Sequence, residues 1–584
     1  MAFNKYFQDE LKYLRQLGAE FSRTYPALAP MLADRGGDPD VERLLEGVAF
    51  LTGRIRQKLD DEIPELMLAV ASLLFPQLVR PLPASAILEL SPLPGVLRER
   101  RVVPRGAEFD SVPVDGTRCR FTSTDDCELA PLQLSGARLE SPTPGQQLLR
   151  LTLSGMSGTP VEAALPPRLR LHLAAQDRSA GMLRLWLLRH VTAVRLEAGG
   201  QSVTLPKGCV EPVGFEEGQA LLPWSETGFP GFRLLQEYYV LPAKFHFVDV
   251  VGLERCAELG KDLSQVDVII EFERPLPDVR DVSTSDVKLH CVPVINVFET
   301  TAEPVRLDAG REQHLLRVAG HAPAHGEVYA LKAVRGSHRN SSESTPILPF
   351  YNFQHAAAGP DAARPYYSTH LRPSVVTEGA DFYIAVGTAE DSGLLANFDF
   401  LSIDLLATNG SLANAVRGGE INVPTPSSPP YAKFRNLTAV TRHVPPPLGQ
   451  ELQWRATAHT AMNLRSLAEP AVLRSILGVY NLPAIADRQA ARAHELRVEA
   501  LRDIRVRPAE KLIRGAPVRG IHLEVELAES GFAGDGDVFL FGSVLDRLFA
   551  EYVSLNSFAQ TSVTLLPSKA AWSWPPRNGA RTLL

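Results

Sequence analysis

Two glycine-rich stretches near the C-terminus are where phosphate chemistry would be sought first. Gly515-Ala516-Pro517-Val518-Arg519-Gly520 has the glycine spacing of a Walker loop, whose backbone N–H groups cradle phosphate. That loop needs a following Lys and Ser/Thr, and Ile521-His522 stand in their places. Gly531-Phe532-Ala533-Gly534-Asp535-Gly536-Asp537 lies between an expected strand and an expected helix, the context of a phosphate loop. It lacks the GxGxxG spacing, and Asp535 and Asp537 would repel phosphate at a helix N-terminus. A tight turn that caps a helix is the expected role.

Metal and nucleophile chemistry find no better start. The 14 histidines are dispersed, and His494-Glu495 runs on into Leu-Arg-Val rather than HExxH. Gly155-Met156-Ser157-Gly158 lacks the glycine spacing of a GxSxG elbow. Asp60-Asp61-Glu62 is acidic, but on a helix its members face different directions, so a solvated face or a partner for Arg54 and Arg56 is expected over paired acid/base carboxylates. Cys119, Cys127, Cys209, Cys256 and Cys291 are sparse, odd in number and never in CxxC spacing. They read as free thiols in a reducing compartment. No catalytic residue, cofactor or metal ligand is expected.

What must be positioned is therefore surface rather than a reactive group. In the second helix, Asp38 stands where an N-cap belongs and Pro39 at the first helical position. Leu44, Val48, Leu51, Ile55 and Leu59 then recur on one helical stripe. Pro64 ends that helix and begins another, Glu65 to Phe75, apolar on nearly every side and including Leu66 and Val70. Such a helix must be buried. Its apolar run is about half the ~20 residues a bilayer span needs, so burial in protein is expected, not membrane insertion. The first helix carries Phe7, Leu11, Leu14, Gly18 and Phe21, again at steps of three and four. Residues 1–80 thus hold more apolar surface than a helical pair can cover. Either the adjacent domain of the same chain or a partner chain covers it.

The remainder bounds the architecture. At about 150 residues per domain, 584 residues predict roughly four domains. The 46 prolines, about 8% against a typical ~5%, favour turns and strand edges over helices. After Pro81-Leu82-Pro83 the texture becomes strand-like: Ile87–Leu90, Arg168–Leu173 and Met182–Leu187 alternate with period two, and Gly199-Gly200 marks a hairpin within Ala193–Leu205. Gly228–Tyr239 interrupts as a short helix with an Arg233–Glu237 pair, followed by a Lys244–Val250 strand. Asp381–Val386 and Phe398–Leu406 read as strands, and 409–431 as a long loop. Pro470–Tyr480 and Ala486–Leu501 read as helices and Ile521–Leu527 as a strand. Asp537 caps a helix running to Asn556 through Val538, Phe541, Leu545, Leu548, Tyr552 and Leu555. The expected class is α+β multidomain: a helical unit (1–80), a β-rich, sandwich-like domain (81–310) with a helical insert near 229–239, a second β-rich domain (311–435), a mixed α/β domain (436–567) and a tail (568–584). The net charge of −7 is not polarised into basic blocks, which argues against nucleic acid. Asp9 and Glu10 stand where a signal peptide needs an apolar run, so a cytoplasmic protein is expected.

Several of these blocks, in this order, resemble the TssF family, a baseplate subunit of the bacterial type VI secretion system. The resemblance covers Tyr13 to Phe21 and Tyr25-Pro26, Asp38-Pro39 through Arg43–Gly47 and Ala49-Phe50-Leu51, then Ile55, Lys58, Leu59, Asp61, Pro64-Glu65-Leu66 and Pro76. It continues in Phe229–Tyr239, Leu241-Pro242, Lys244-Phe245 and Gly252-Leu253, and in Phe541–Leu545, Tyr552 and Asn556-Ser557-Phe558. It departs at Ala407–Ser411, and near Trp454 keeps only Trp454-Arg455, His459 and Asn463. The resemblance implies a non-enzymatic scaffold that joins a TssG-like subunit, a second copy of itself and a TssK-like adaptor in a baseplate wedge. Wedges of this kind surround a spike hub and support tube and contractile sheath, in an assembly docked at the inner membrane through its partners. The expected contact residues are Phe7, Leu11, Leu14, Leu44, Val48, Leu51, Ile55, Leu66 and Val70. The competing reading is a β-rich multidomain enzyme, for example one acting on carbohydrate, with carboxylates supplied by separated loops. Convergent acids and aromatics in a pocket would mark it.

Overall fold

In the computed structural model of the chain, the described residues are 7, 8, 10–15, 17, 40 and 43–55, followed by 76–579 apart from 176, 225–229, 278, 280, 309–310, 340–342, 351–364, 375, 378, 389–397, 449–468 and 514–515. The chain divides into two compact units, Met1–Leu74 and Phe75–Leu584. The described residues of the first unit are helical. The second is a strand-rich α+β unit.

Three hydrophobic cores organise the second unit. A six-stranded sheet runs in the order Ile421–Pro424, Glu108–Val114, Thr117–Ser123, Cys291–Ile295, Ser85–Pro92, Ala432–Asn436, and packs Leu88, Phe109, Phe121 and Val294 into the first core. An eight-stranded sheet drawn from residues 298–408 encloses Ile384, Leu401, Ile403 and Leu405. These sheets do not follow the expected domain limits. The second β module already begins with Phe298–Thr301, and the 409–431 stretch returns a strand, Ile421–Pro424, to the edge of the first sheet. A loop rich in Gly, Ser and Pro hid that short edge strand, whose pairing with Glu108–Val114 is purely long-range.

The third core is the largest. It joins a five-stranded sheet, including the Val191–Ala198/Gln201–Thr204 hairpin, and a four-stranded sheet to the C-terminal sheet through four helices. In the hairpin, Gly199 and Gly200 take φ of +57° and +81°, as a two-residue turn requires. The helices are Asp177–Arg189, Pro230–Val240, Pro470–Tyr480 and Asp535–Ala550. The last bridges the parallel strands Ala516–Ala528 and Phe558–Leu566 as a crossover.

Three sequence expectations need correction here. Met182–Leu187 is helical, not a strand. Leu183, Leu185 and Leu187 alternate, but Arg184 and Trp186 between them are buried too, and a short run buried all round has no diagnostic period. This helix meets Asp535–Ala550 at Gly181 and Gly536, where a Cβ on Gly536 would lie 2.2 Å from the Gly181 carbonyl carbon. The C-terminal helix ends at Ala550 rather than Asn556. Tyr552 packs from the following turn and Leu555 is exposed. Residues 571–578 are not a loose tail: they add two short strands, and Trp572 and Trp574 enter the core. Trp574 donates its indole N–H to Ser543 Oγ at 3.1 Å.

Candidate protein-interaction surface

The stretches that could have done chemistry are structural. Gly520 sits in the long Ala516–Ala528 strand, with the Phe558 ring where a Cβ would be. In the second glycine loop, the Asp537 carboxylate takes the place an anion would occupy. Its Oδ2 accepts from the Ala533 N–H at 3.2 Å and pairs with Arg497 at 3.1 Å, and its Oδ1 accepts from the Tyr238 hydroxyl at 3.0 Å. All five cysteines are buried free thiols, and burial pushes Cys119 up to about 11 and Cys127 up to about 12. They are poor nucleophiles. Asp60-Asp61-Glu62 lies outside the described residues. No group of His, Cys, Asp and Glu among the described residues is placed to hold a metal.

A cavity of about 350 Å³ lies beside the eight-stranded sheet, and Glu327, Asp381 and His443 are among its lining residues. Its carboxylates are already engaged. Asp381 binds Arg317 and the Ser374 hydroxyl, both at 3.1 Å, and Glu327 Oε2 sits 2.9 Å from His443 Nε2. Phe382 is the one aromatic side chain in its lining. These groups tie loops to the sheet.

The Pro230–Val240 helix supplies a feature that sequence reasoning missed. The Arg233–Glu237 pair expected from the sequence is there, but both side chains are buried together with Lys244. Glu237 Oε1 accepts the Leu221 and Leu222 N–H groups at 2.7 and 3.1 Å, and its Oε2 receives the Lys244 ammonium. Arg233 donates to the carbonyls of Phe215, Glu216 and Glu217. Burial lowers the Lys244 pKa, against the pull of Glu237. The signal was a lysine inside the apolar Leu241–Phe247 run. Leu234 and Leu235 are buried, whereas Tyr239 is half-buried, its ring edge-on to His494.

The helix at 43–55 has the opposite character. Ala49 and Gly53, four residues apart, are its buried positions, so it packs through small residues. The stripe of large apolar side chains faces out: Leu44 is 70% exposed, Val48 40%, Leu51 63% and Ile55 59%. The first helix differs, with Leu11 buried and Phe7 and Leu14 half-buried, while Tyr13 and Leu17 are exposed. Leu66 and Val70 lie outside the described residues. Among the described residues no helix is long and apolar enough to cross a membrane.

Comparisons with known proteins span nearly the whole chain. The chain is 29% identical to the type VI secretion system component TssF1 of Pseudomonas aeruginosa, over 99% of this chain and 98% of that protein. Its fold is similar to a chain in the cryo-electron microscopy structure of the type VI secretion system TssK-TssF-TssG baseplate subcomplex, with a TM-score of 0.74 and 29% identity over 92% of this chain and 99% of that one. A chain of the baseplate complex from the type VI secretion system matches with a TM-score of 0.61 and 28% identity over 100% of both. The family model described as "Type VI secretion system, TssF" matches residues 1–581, and the chain belongs to that family.

Proposed function

We propose that this chain is a non-enzymatic structural subunit of a type VI secretion baseplate wedge that assembles with TssG-like and TssK-like subunits. The observation that carries this reading is the exposed Leu44, Val48, Leu51 and Ile55 stripe. Complete burial of these four side chains would contribute on the order of 5 kcal/mol beyond what the free chain already gains. That is a large fraction of a typical domain's stability. The nearly all-apolar 65–75 sequence offers further surface of the same kind, and residues 1–80 are the assembly unit. The β modules space neighbouring wedges, in an assembly that brings in a second copy of the chain, the spike hub and the sheath. The engaged carboxylates of the cavity beside the eight-stranded sheet support a role without catalysis. The place of action is the bacterial cytoplasm, in an assembly held at the inner membrane through other subunits.

Co-expression with a TssG-like and a TssK-like subunit, followed by size-exclusion chromatography with light scattering, tests this. A stoichiometric complex that Leu44→Asp/Leu51→Asp abolishes is the expected result. A chain that stays monomeric beside both subunits would overturn it.

A further inference from the structure

The Leu93–Gly106 segment presents a small basic strand edge. Leu97 and Val103 are both buried in the core of the six-stranded sheet, and the Leu93 N–H donates to the Tyr431 carbonyl at 2.9 Å. These anchors fix the segment at both ends and hold what lies between them at the surface. Strand Arg101–Val103 pairs on one side with Cys127–Leu129 in a two-stranded sheet, and its other edge meets no strand among the described residues. Val102 points away from the core, 55% exposed, and Val96 is 59% exposed. Around them residues 98–105 carry Arg98, Arg100, Arg101 and Arg105 against Glu99, a formal +3 in a chain whose net charge is −7.

Arg100 and Arg101 are held but not consumed, whereas Arg105 is consumed. The Arg101 guanidinium lies over the Tyr431 ring, 5.5 Å from its centre, an arrangement that uses the cation's face and leaves its N–H edge open. Arg100 touches Glu128 at 3.4 Å with 40% of its side chain exposed, a pair worth little where water competes. Arg105 is spent within the fold, donating to the Gly218 carbonyl at 3.2 Å. An open backbone edge, an outward valine and flanking guanidinium groups match the requirements for adding a strand that brings carboxylates with it.

We infer that the Arg101–Val103 edge binds an extended acidic segment of a partner protein as a third strand. Arg98 stands three residues before Arg101, outside the strand and across a bend at Glu99, so carboxylates beside Arg101 and beyond the start of the edge, with a small apolar residue near Val102, fit best. Pro104 ends the edge, which limits the added strand to a few residues. An anionic membrane is the poorer occupant, because two valines bury too little apolar area to anchor to it.

The test uses the full chain and a fluorescein-labelled Glu-Val-Glu-Val-Glu peptide in fluorescence anisotropy. Binding should weaken at least about tenfold on raising salt from ~0.05 to ~0.5 M, and be lost in Arg98→Glu/Arg101→Glu and in Val102→Asp, with unchanged thermal unfolding in each variant. A Lys-Val-Lys-Val-Lys peptide should not bind, and N-methylation of alternate amides should abolish binding by removing the strand hydrogen bonds. No binding of the acidic peptide would mean that the arginines only blunt an edge against aggregation. Equal binding of the N-methylated peptide would mean a charged patch without strand addition. Stronger binding of a single-stranded oligonucleotide or of phosphatidylserine-containing vesicles would assign the patch to another partner class. Each of these outcomes overturns the proposal.

Discussion

Replacing Glu237 by glutamine changes a carboxylate oxygen into an NH2 and removes one charge from the centre of the largest core. The amide oxygen can still accept the Leu221 and Leu222 N–H groups, so the turn they form keeps its anchor. The new amide hydrogens, however, face the Lys244 ammonium, donor against donor, and Arg233, whose Nε lies 3.9 Å from Glu237 Oε1, loses the same counter-charge. Breaking a buried ion pair from one side costs about 3–5 kcal/mol, against at most about 1 kcal/mol for an exposed pair. The three side chains are at most 2% exposed, so the larger figure applies. Urea unfolding of the purified chain, followed by tryptophan fluorescence, should show a clearly lower midpoint for Glu237→Gln, with reduced soluble yield on expression. Adding Lys244→Met should recover part of the loss, because no uncompensated ammonium then remains. A Glu237→Gln midpoint within about 1 kcal/mol of the parent would refute the reasoning, since it would mean that water reaches the cluster.

Other consequences follow from burial. Leu548 is fully buried in the Asp535–Ala550 helix, so Leu548→Ala should cost about 2–5 kcal/mol in the isolated chain; unchanged chain stability with lost assembly would place that helix in an intermolecular bundle instead. His172, His246 and His290 are held neutral by burial, with pKa values lowered to about 3, 4 and 4. An unfolded chain binds protons at these sites below about pH 6.5 while the folded chain does not, so the stability they confer is intact above that pH and lost as pH falls toward 4. The urea midpoint should drop over that window, and His172→Asn should flatten the drop. The buried cysteines should react with a thiol reagent only as the chain unfolds, all together; a fast-reacting thiol in the native chain would contradict their placement.

Local chemistry made much of this fold legible. Pro470 opens the Pro470–Tyr480 helix, and paired glycines turn the Ala193–Leu205 hairpin. Both signals act within a few residues. What stayed illegible depends on contacts between distant segments. The Met182–Leu187 run is helical because sheets and helices enclose it on every side, and the Ile421–Pro424 strand exists only through pairing with Glu108–Val114. The interaction stripe was readable as a helix face, because Leu44, Val48, Leu51 and Ile55 repeat at three and four. Its outward direction was not, because periodicity shows that a face exists but not what covers it. Ala49 and Gly53 held that information, as the small residues on the buried side of the helix.

The central claim is that the 43–55 helix keeps its large apolar face for a partner. Amide hydrogen exchange read by mass spectrometry, on the free chain and on its complex with TssG-like and TssK-like subunits, tests it most directly. The account predicts rapid exchange across residues 43–55 in the free chain and strong protection in the complex, with the buried Asp535–Ala550 helix protected in both. Equal protection of residues 43–55 in the two states would contradict it.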